Sequence, residues 1–234
     1  MVGRMRRFFT EHGAFMAAAA FSETQTVGSR YYSDNGVFPA GDAAVLRAMI
    51  NALKPHRIIE IGSGFSTACM LDAIDELGLS TKVTCIEPYA DRLRGLLRRG
   101  DAPEILEKPV QQVELTRFSE LQDGDILFID STHVLKTGSD IHYELFEVLP
   151  SLNPGVVVHF HDLPYPFEYP SQWVFEQNYS WNEAYGVRAF LTYNLVFRPL
   201  YSNSLMATYE PDLLRSLFPK FPDNPGGAII HICG

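Results

Sequence analysis

The feature that most constrains this chain is a regular alternation of short apolar runs with helix-length stretches between Arg57 and Phe160. Arg57 to Ile61, Lys82 to Ile86, Asp125 to Asp130 (Asp-Ile-Leu-Phe-Ile-Asp) and Val156 to Phe160 read as strands of a buried sheet. Val110 to Leu115 is the candidate third strand, with a weak helix around Phe118. Helices are expected at Thr67 to Leu77, closed by Gly78, at Ala90 to Arg99, and at Gly138 to Leu149, ended near Pro150 and Pro154. Strands and helices in this rhythm imply an α/β fold, a doubly wound and mostly parallel sheet with helices on both faces. In such sheets a ligand sits at the carboxyl ends of the strands. That rule selects Gly62 to Ser66, Glu87, Asp130 to His133, and His161 with Asp162 for inspection.

The flanks are less regular. Residues 1–41 read as an N-terminal helix, frayed or docking a partner, followed by a polar cap segment from Ser22 to Gly36. Asp42 to Leu53 has helical spacing, with Asp42 as its N-cap and Pro55 beyond its end. The remainder, 42–234, reads as a single domain with an acceptor or lid segment at about 163–195, dense in Pro and aromatic residues. Glu183 to Leu195 looks helical, and Val196 to Tyr201 with Ala228 to Ile232 reads as a final strand pair.

A net charge of −9 argues against a nucleic-acid backbone as partner, because neutralising phosphates needs clustered Lys and Arg. The apolar run Ala14 to Phe21 is too short to span a bilayer. Arg4, Arg6 and Arg7 ahead of it imitate a secretory leader, but Glu11 and His12 interrupt that pattern. Cys69, Cys85 and Cys233 lack metal-ligand spacing and cannot all pair with one another. Cys69 and Cys85 fall on a helix face and inside a strand, as small buried hydrophobes do. Free thiols suit a reducing compartment, so the expectation is a cytoplasmic protein acting on a small molecule, with no membrane or nucleic-acid partner and with a homo-oligomer left open.

The first strand delivers Glu60 and then Gly62-Ser63-Gly64 into a helix, a turn that lets backbone approach a ligand closely. A dinucleotide fingerprint wants a third glycine at position 67, where this chain has Thr67. The second strand ends in Glu87, placed to accept hydrogen bonds from both hydroxyls of a ribose.

Glu-Ile-Gly-Ser-Gly-Phe-Ser-Thr, followed by Cys-Ile-Glu-Pro, resembles the first two motifs of class I S-adenosylmethionine-dependent methyltransferases. More narrowly, Glu60-Ile-Gly-Ser-Gly-x-Ser-Thr67 is similar to the branch holding the macrocin- and mycinamicin-type sugar O-methyltransferases. The resemblance runs from about Asp42 to Asp162 and implies a Rossmann-like fold that binds S-adenosyl-L-methionine. It puts Gly62, Gly64 and Ser66 near the methionine part and Glu87 on the ribose, within a cofactor set of Glu60, Gly62, Ser63, Gly64, Ser66, Glu87 and Asp130. Gln111 and Gln112 are candidates for the adenine contact.

The chemistry points to Phe128-Ile-Asp-Ser-Thr-His133 and His159-Phe-His-Asp162. Methyl transfer to oxygen needs an acceptor hydroxyl held in line with the methyl group and a route for its proton. A divalent cation can orient the hydroxyl and acidify it while a neighbouring imidazole takes the proton. Asp130, His161 and Asp162 begin such a metal site, with His133 as base and Asp130 beside it. The resemblance implies metal on Asp130 and Asp162, with His161 where related enzymes carry Asp. Mg²⁺ prefers oxygen ligands, so His161 either favours Mn²⁺, Fe²⁺ or Zn²⁺ or is no ligand. His159 reads as structural. Trp181, Glu183 and Arg188 are candidate acceptor contacts on the lid.

The expectation is an S-adenosylmethionine-dependent O-methyltransferase of a hydroxylated small molecule, with a sugar or glycosylated metabolite favoured and a divalent metal (Mg, Mn or Fe) as candidate cofactor. A metal-independent O- or N-methyltransferase remains open. So does a non-catalytic S-adenosylmethionine-binding or scaffold module, with a dinucleotide oxidoreductase more distant.

Overall fold

The structure, a computed structural model, describes residues 2–217 and 228–232. It opens with α1 (Val2–Ala17) and, after an irregular stretch, α2 (Ala40–Leu53). Then follow β1 (Arg57–Ile61), α3 (Phe65–Glu76), β2 (Lys82–Ile86), α4 (Asp91–Leu96), β3 (Glu104–Leu106), α5 (Leu115–Phe118) and β4 (Ile126–Ile129). A continuous helical segment comprises α6 (Asp140–Tyr143), a π-helical stretch (Glu144–Val148) and α7 (Leu149–Ser151). After β5 (Val157–Phe160) come α8 (Ser171–Phe175), α9 (Glu183–Leu191), β6 (Phe197–Ser202), α10 (Asn203–Tyr209), α11 (Pro211–Leu217) and β7 (Ala228–Ile232).

The sheet order is β3-β2-β1-β4-β5-β7-β6. The first five strands are parallel, and β7 runs antiparallel between β5 and β6. This is the doubly wound arrangement expected from the alternation, with the final strand pair closing one edge. The period-2 alternation of side chains sorts the core into two faces. Ile58, Ile126 and Phe128 pack with Ala68, Ala73 and Leu46 of α3 and α2. Ile59, Ile61, Leu127 and Ile129 pack on the other face with Leu145, Val148, Ala184 and Val187.

Three expectations need correction. The third strand is Glu104–Leu106, not Val110 to Leu115, where the chain forms a 3₁₀ turn at Val110–Gln112. Val110 and Val113 are both buried, and their spacing of three suits a turn rather than an alternating strand. Asp42 is not an N-cap: α2 starts at Ala40 after Pro39, and Asp42 lies buried inside its first turn. The helix expected at Ala90 to Arg99 is only Asp91–Leu96, since Leu97 turns to extended backbone. Cys69 and Cys85 are buried free thiols as expected, while Cys233 lies outside the described residues. No helix among the described residues is long and apolar enough to cross a membrane.

The N-terminal helix belongs to the core. Met5, Phe9 and Met16 are fully buried against Ala44 and Met49 of α2, Val157 of β5 and Tyr201 of β6. The irregular stretch after it is tied down by Arg30, whose guanidinium donates to Asp101 at 2.7 Å and to Asp72 and Asp75 at 2.8 Å each. Asp72 also accepts from the backbone N–H groups of Arg30 and Tyr31. Truncating Phe9→Ala is expected to lower unfolding free energy by about 3 kcal/mol in urea titrations, as for other buried aromatic residues. A loss below about 0.5 kcal/mol, the scale of a surface change, would mean that α1 is only loosely attached.

Candidate active site

The site begins where β1 ends. Gly62 has φ +78°, and a Cβ there would sit 1.9 Å from the Asp130 carbonyl oxygen. Its N–H donates to Ile86 O at 3.0 Å, and Asp130 N–H donates to Ile61 O at 2.9 Å. The glycine therefore lets the ends of β1, β2 and β4 close on one point. Glu60 is fully buried behind this turn and accepts from Ser66 Oγ at 2.6 Å and from Thr67 Oγ1. Thr67 Oγ1 in turn accepts the Gly64 N–H at 3.1 Å. Glu60, expected among the cofactor contacts, thus braces the turn from within rather than facing the cleft.

Glu87 accepts from Ser63 N–H at 3.2 Å and Tyr89 N–H at 2.8 Å, so it ties the glycine turn to the end of β2. Three clefts that share lining residues open above the strand ends. One of about 530 Å³ runs from Gly62 and Glu87 to Val110, Gln111 and Ser139. A narrow one of about 100 Å³ is lined by Gly62, Ser63, Gly64, Ser66, Glu87 and Arg92. A third, about 740 Å³, is walled by Val37, Arg92, His133, Asp162, Trp173 and Trp181. Asp130 lines all three. Gln111 faces the first cleft and donates to Gly138 O at 3.0 Å; Gln112 does not line it.

Two buried carboxylate–imidazole pairs converge on Asp130. His133, at φ +60°, places Nδ1 2.7 Å from Glu183 Oε2 and Nε2 3.4 Å from Asp130 Oδ1. Its ring packs on Trp181 at 4.2 Å between centroids. His161 uses the opposite nitrogen: Nε2 lies 3.2 Å from Asp42 Oδ2, and Nδ1 faces Asp130 Oδ1 at 3.4 Å and Asp162 Oδ2 at 3.5 Å. Burial favours a neutral His133 ring, but the Asp130 and Glu183 carboxylates outweigh it and raise its pKa to about 10. Burial likewise opposes charge on His161, and Asp130 and Asp162 override it, holding the ring well above its ordinary value. Burial would raise Asp130 too, yet His161 and His133 keep it well below the usual carboxylate range.

Asp130, His161 and Asp162 form a group whose ligand atoms all lie within 4.8 Å of one another. His161 Nδ1 is buried and makes no hydrogen bond among the described residues. Ligands about 2.1 Å from a shared cation at tetrahedral or octahedral angles are roughly 3.0–3.4 Å apart. The 3.4 and 3.5 Å spacings around Nδ1 are close to that range, so these three residues fit a divalent cation.

His159 is buried against Phe128 at 4.5 Å between centroids, and burial lowers its pKa to about 3, which keeps it neutral. It lines none of the three clefts. Trp181 lines the largest cleft, Glu183 lies beneath His133, and Arg188 lines a separate cavity of about 380 Å³. Sequence reasoning did not identify Asp42 as the partner of His161, Glu183 as the partner of His133, or Arg92 in the cleft walls. Only Glu183 carried a signal, as an acid next to an aromatic lid.

Two measurements follow from this geometry. Gly62→Ala is expected to cost about 2 kcal/mol or more of stability, because the new Cβ meets backbone. Gly95→Ala, with open space at that position, serves as the neutral control. Burial raises the Glu60 carboxyl from 4.5 to about 8, against the pull of Ser66 and Thr67. The folded chain then keeps a proton that the unfolded chain releases, so this group makes the fold less stable as pH rises between those values. Glu60→Gln removes that slope. Relative to wild type, its stability is expected to improve by roughly 2 kcal/mol or more between pH 5 and pH 8 in urea titrations; parallel pH profiles would contradict the assignment.

Residues 59–163, fewer than half of the 234, match a family described as a methyltransferase domain. An uncharacterised protein of Archaeoglobus fulgidus is 40% identical over 99 residues, which span 41% of this chain and 44% of that relative. Among solved structures, S-adenosylhomocysteine-bound PaMTH1 from Podospora anserina, a methyltransferase, aligns with TM-score 0.55 at 14% identity, covering 97% of this chain and 88% of its own. The O-methyltransferase TomG of Streptomyces achromogenes, involved in tomaymycin synthesis and solved with S-adenosylmethionine, aligns with TM-score 0.55 at 14% identity over 98% and 99% of the two chains. At such identity the likeness is one of fold. Residues 59–163 are thus similar to a methyltransferase domain, and the chain has the Rossmann-like methyltransferase fold.

Proposed function

We propose that the protein is an S-adenosylmethionine-dependent O-methyltransferase acting on a hydroxylated small molecule. The observation that carries this reading is Asp130: it walls the Glu87 cleft, the Gly62–Ser66 cleft and the large aromatic cleft at once. Donor and acceptor therefore meet at one carboxylate, beside a histidine able to handle a proton. A sugar or glycosylated metabolite is the favoured acceptor. Trp173 and Trp181 line the large aromatic cleft with apolar surface suited to a sugar ring, and Asp34 and Gln177 add polar groups suited to its hydroxyls. The similarity of Glu60 to Thr67 to the macrocin- and mycinamicin-type enzymes supports the same class.

S-adenosylmethionine supplies a sulfonium methyl that the acceptor oxygen attacks in line, leaving S-adenosylhomocysteine and a methyl ether. Gly62 to Ser66 and Glu87 hold the donor, and Trp181 and its neighbours exclude water from the acceptor. Glu183 accepts the Nδ1 proton of His133 and so leaves Nε2 as the basic nitrogen toward Asp130. Burial opposes charge on that ring, but Asp130 and Glu183 raise its pKa to about 10. Positive charge brought beside Asp130 offsets its pull and returns Nε2 to the range where it accepts the acceptor's proton. Asp130, His161 and Asp162 would hold a divalent cation, which would supply orientation and acidification of the acceptor hydroxyl.

Mass spectrometry of reactions with S-adenosylmethionine and a panel of glycosides, sugars and catechols is expected to show single methyl addition to a glycoside or sugar. His133→Ala should lower kcat by about 10²–10⁴-fold, the range for a lost proton-transfer group, while S-adenosylhomocysteine affinity stays nearly unchanged. Glu183→Gln should lower kcat less, with KM retained. Activity is expected to vanish in excess chelator and return with Mn²⁺; full activity in chelator would leave His133 acting without a metal. If His133→Ala and Asp130→Ala both keep cofactor binding and biological function, the protein is a binding module rather than an enzyme.

A further inference from the structure

From sequence Asp42 carried only a capping role, yet it is among the most deeply buried acids in the molecule, 1% exposed. A buried carboxylate is costly unless it is paired and hydrogen-bonded. Asn203 Nδ2 donates to Asp42 Oδ1 at 2.6 Å, and His161 Nε2 lies 3.2 Å from Asp42 Oδ2. Asp42 comes from the first turn of α2 and stands behind the imidazole, while Asn203, from the start of α10, holds that carboxylate in place. On its open side the ring offers Nδ1, buried and without a hydrogen bond among the described residues, to Asp130 and Asp162. In the neutral ring, a proton held on Nε2 toward Asp42 leaves the lone pair on Nδ1. This is the carboxylate–histidine relation that fixes tautomer and ring orientation in metal sites and strengthens the imidazole as a ligand.

We propose that Asp42, fixed by Asn203, is a positioning residue that presents His161 Nδ1 as a metal ligand, and that the resulting set of one imidazole and two carboxylates selects a borderline first-row cation over Mg²⁺. The inference rests on the metal reading of the proposed function. The selectivity follows from the donor set. Imidazole suits Fe²⁺, Co²⁺ and Zn²⁺, whereas Mg²⁺ keeps to oxygen and sheds water reluctantly. Were His161 a mere packing residue, it would need neither the buried carboxylate behind it nor the two carboxylates in front.

The test is metal binding to the full-length, metal-stripped protein. Co²⁺ is followed by its visible absorption, and Mg²⁺ and Co²⁺ are both followed by calorimetry. Wild type is expected to bind Co²⁺ at least about ten-fold more tightly than Mg²⁺. Asp42→Asn should weaken Co²⁺ about 10–100-fold, the usual cost of losing a residue behind a metal-bound histidine. It should weaken Mg²⁺ far less, so the Co²⁺/Mg²⁺ ratio falls, and S-adenosylhomocysteine binding should stay near wild type. Asn203→Ala should shift the ratio the same way by a smaller factor, and it decides the matter if Asp42→Asn fails to fold by circular dichroism. Wild-type Co²⁺/Mg²⁺ ratios in the folded variants, or Mg²⁺ binding as tight as Co²⁺ in wild type, overturn the proposal. Asp130→Asn separates the two levels. If it abolishes Co²⁺ binding while the Asp42 and Asn203 variants behave as wild type, only the role of Asp42 fails. If wild type binds neither cation, or Asp130→Asn binds as wild type does, the metal reading itself fails and takes this inference with it.

Discussion

The structure turns on the close approach of two strand ends. Asp130 N–H bonds to Ile61 O, and the Asp130 carbonyl occupies the space that any side chain at position 62 would need. That contact brings the ends of β1 and β4 together and leaves the Asp130 carboxylate, 28% exposed, at the meeting point of three clefts. A parallel sheet makes such a point available because all its strands deliver their carboxyl ends to one edge. What this chain adds is the charge arrangement around it.

Asp130 lies between two imidazoles, each backed by a buried acid from a distant part of the chain. Glu183 takes Nδ1 of His133, and Asp42 takes Nε2 of His161, so the two rings present opposite nitrogens to the same carboxylate. Neither acid is stable in such a position without its histidine, and neither histidine would hold one orientation without its acid. Ring orientation is thereby settled by the folding of α2 and α9 onto the sheet. The burial of α1 against α2 and β6 belongs to the same construction, because it seats the helix that carries Asp42.

Local chemistry was legible in the sequence wherever it is written in consecutive residues. The glycine turn, Glu87 at the end of β2, the buried run into Asp130 and the His161–Asp162 pair all emerged from strand ends read in order. The candidate metal group is the set anticipated from those ends. The third strand was misplaced because Val110 and Val113 look apolar enough for a strand, while the real one, Glu104–Leu106, is a short edge strand with no fully buried residue. The backing acids were not legible, for a different reason. Asp42 and His161 are 119 residues apart, and Glu183 and His133 are 50 apart. Their pairing depends on which face each helix lays on the sheet. At the start of a helix an Asp looks like a cap, and only burial shows that its partner lies across the fold.

The central claim is that donor, acceptor and cation sites share Asp130. A crystal structure with S-adenosylhomocysteine and Mn²⁺, with anomalous data collected for the metal, tests it most directly. The account predicts the ribose against Glu87, the homocysteine part along Gly62 to Ser66, and an anomalous peak bonded to Asp130, His161 Nδ1 and Asp162. A nucleoside bound away from the Gly62–Asp130 contact, or an anomalous peak at some other set of residues, would contradict it.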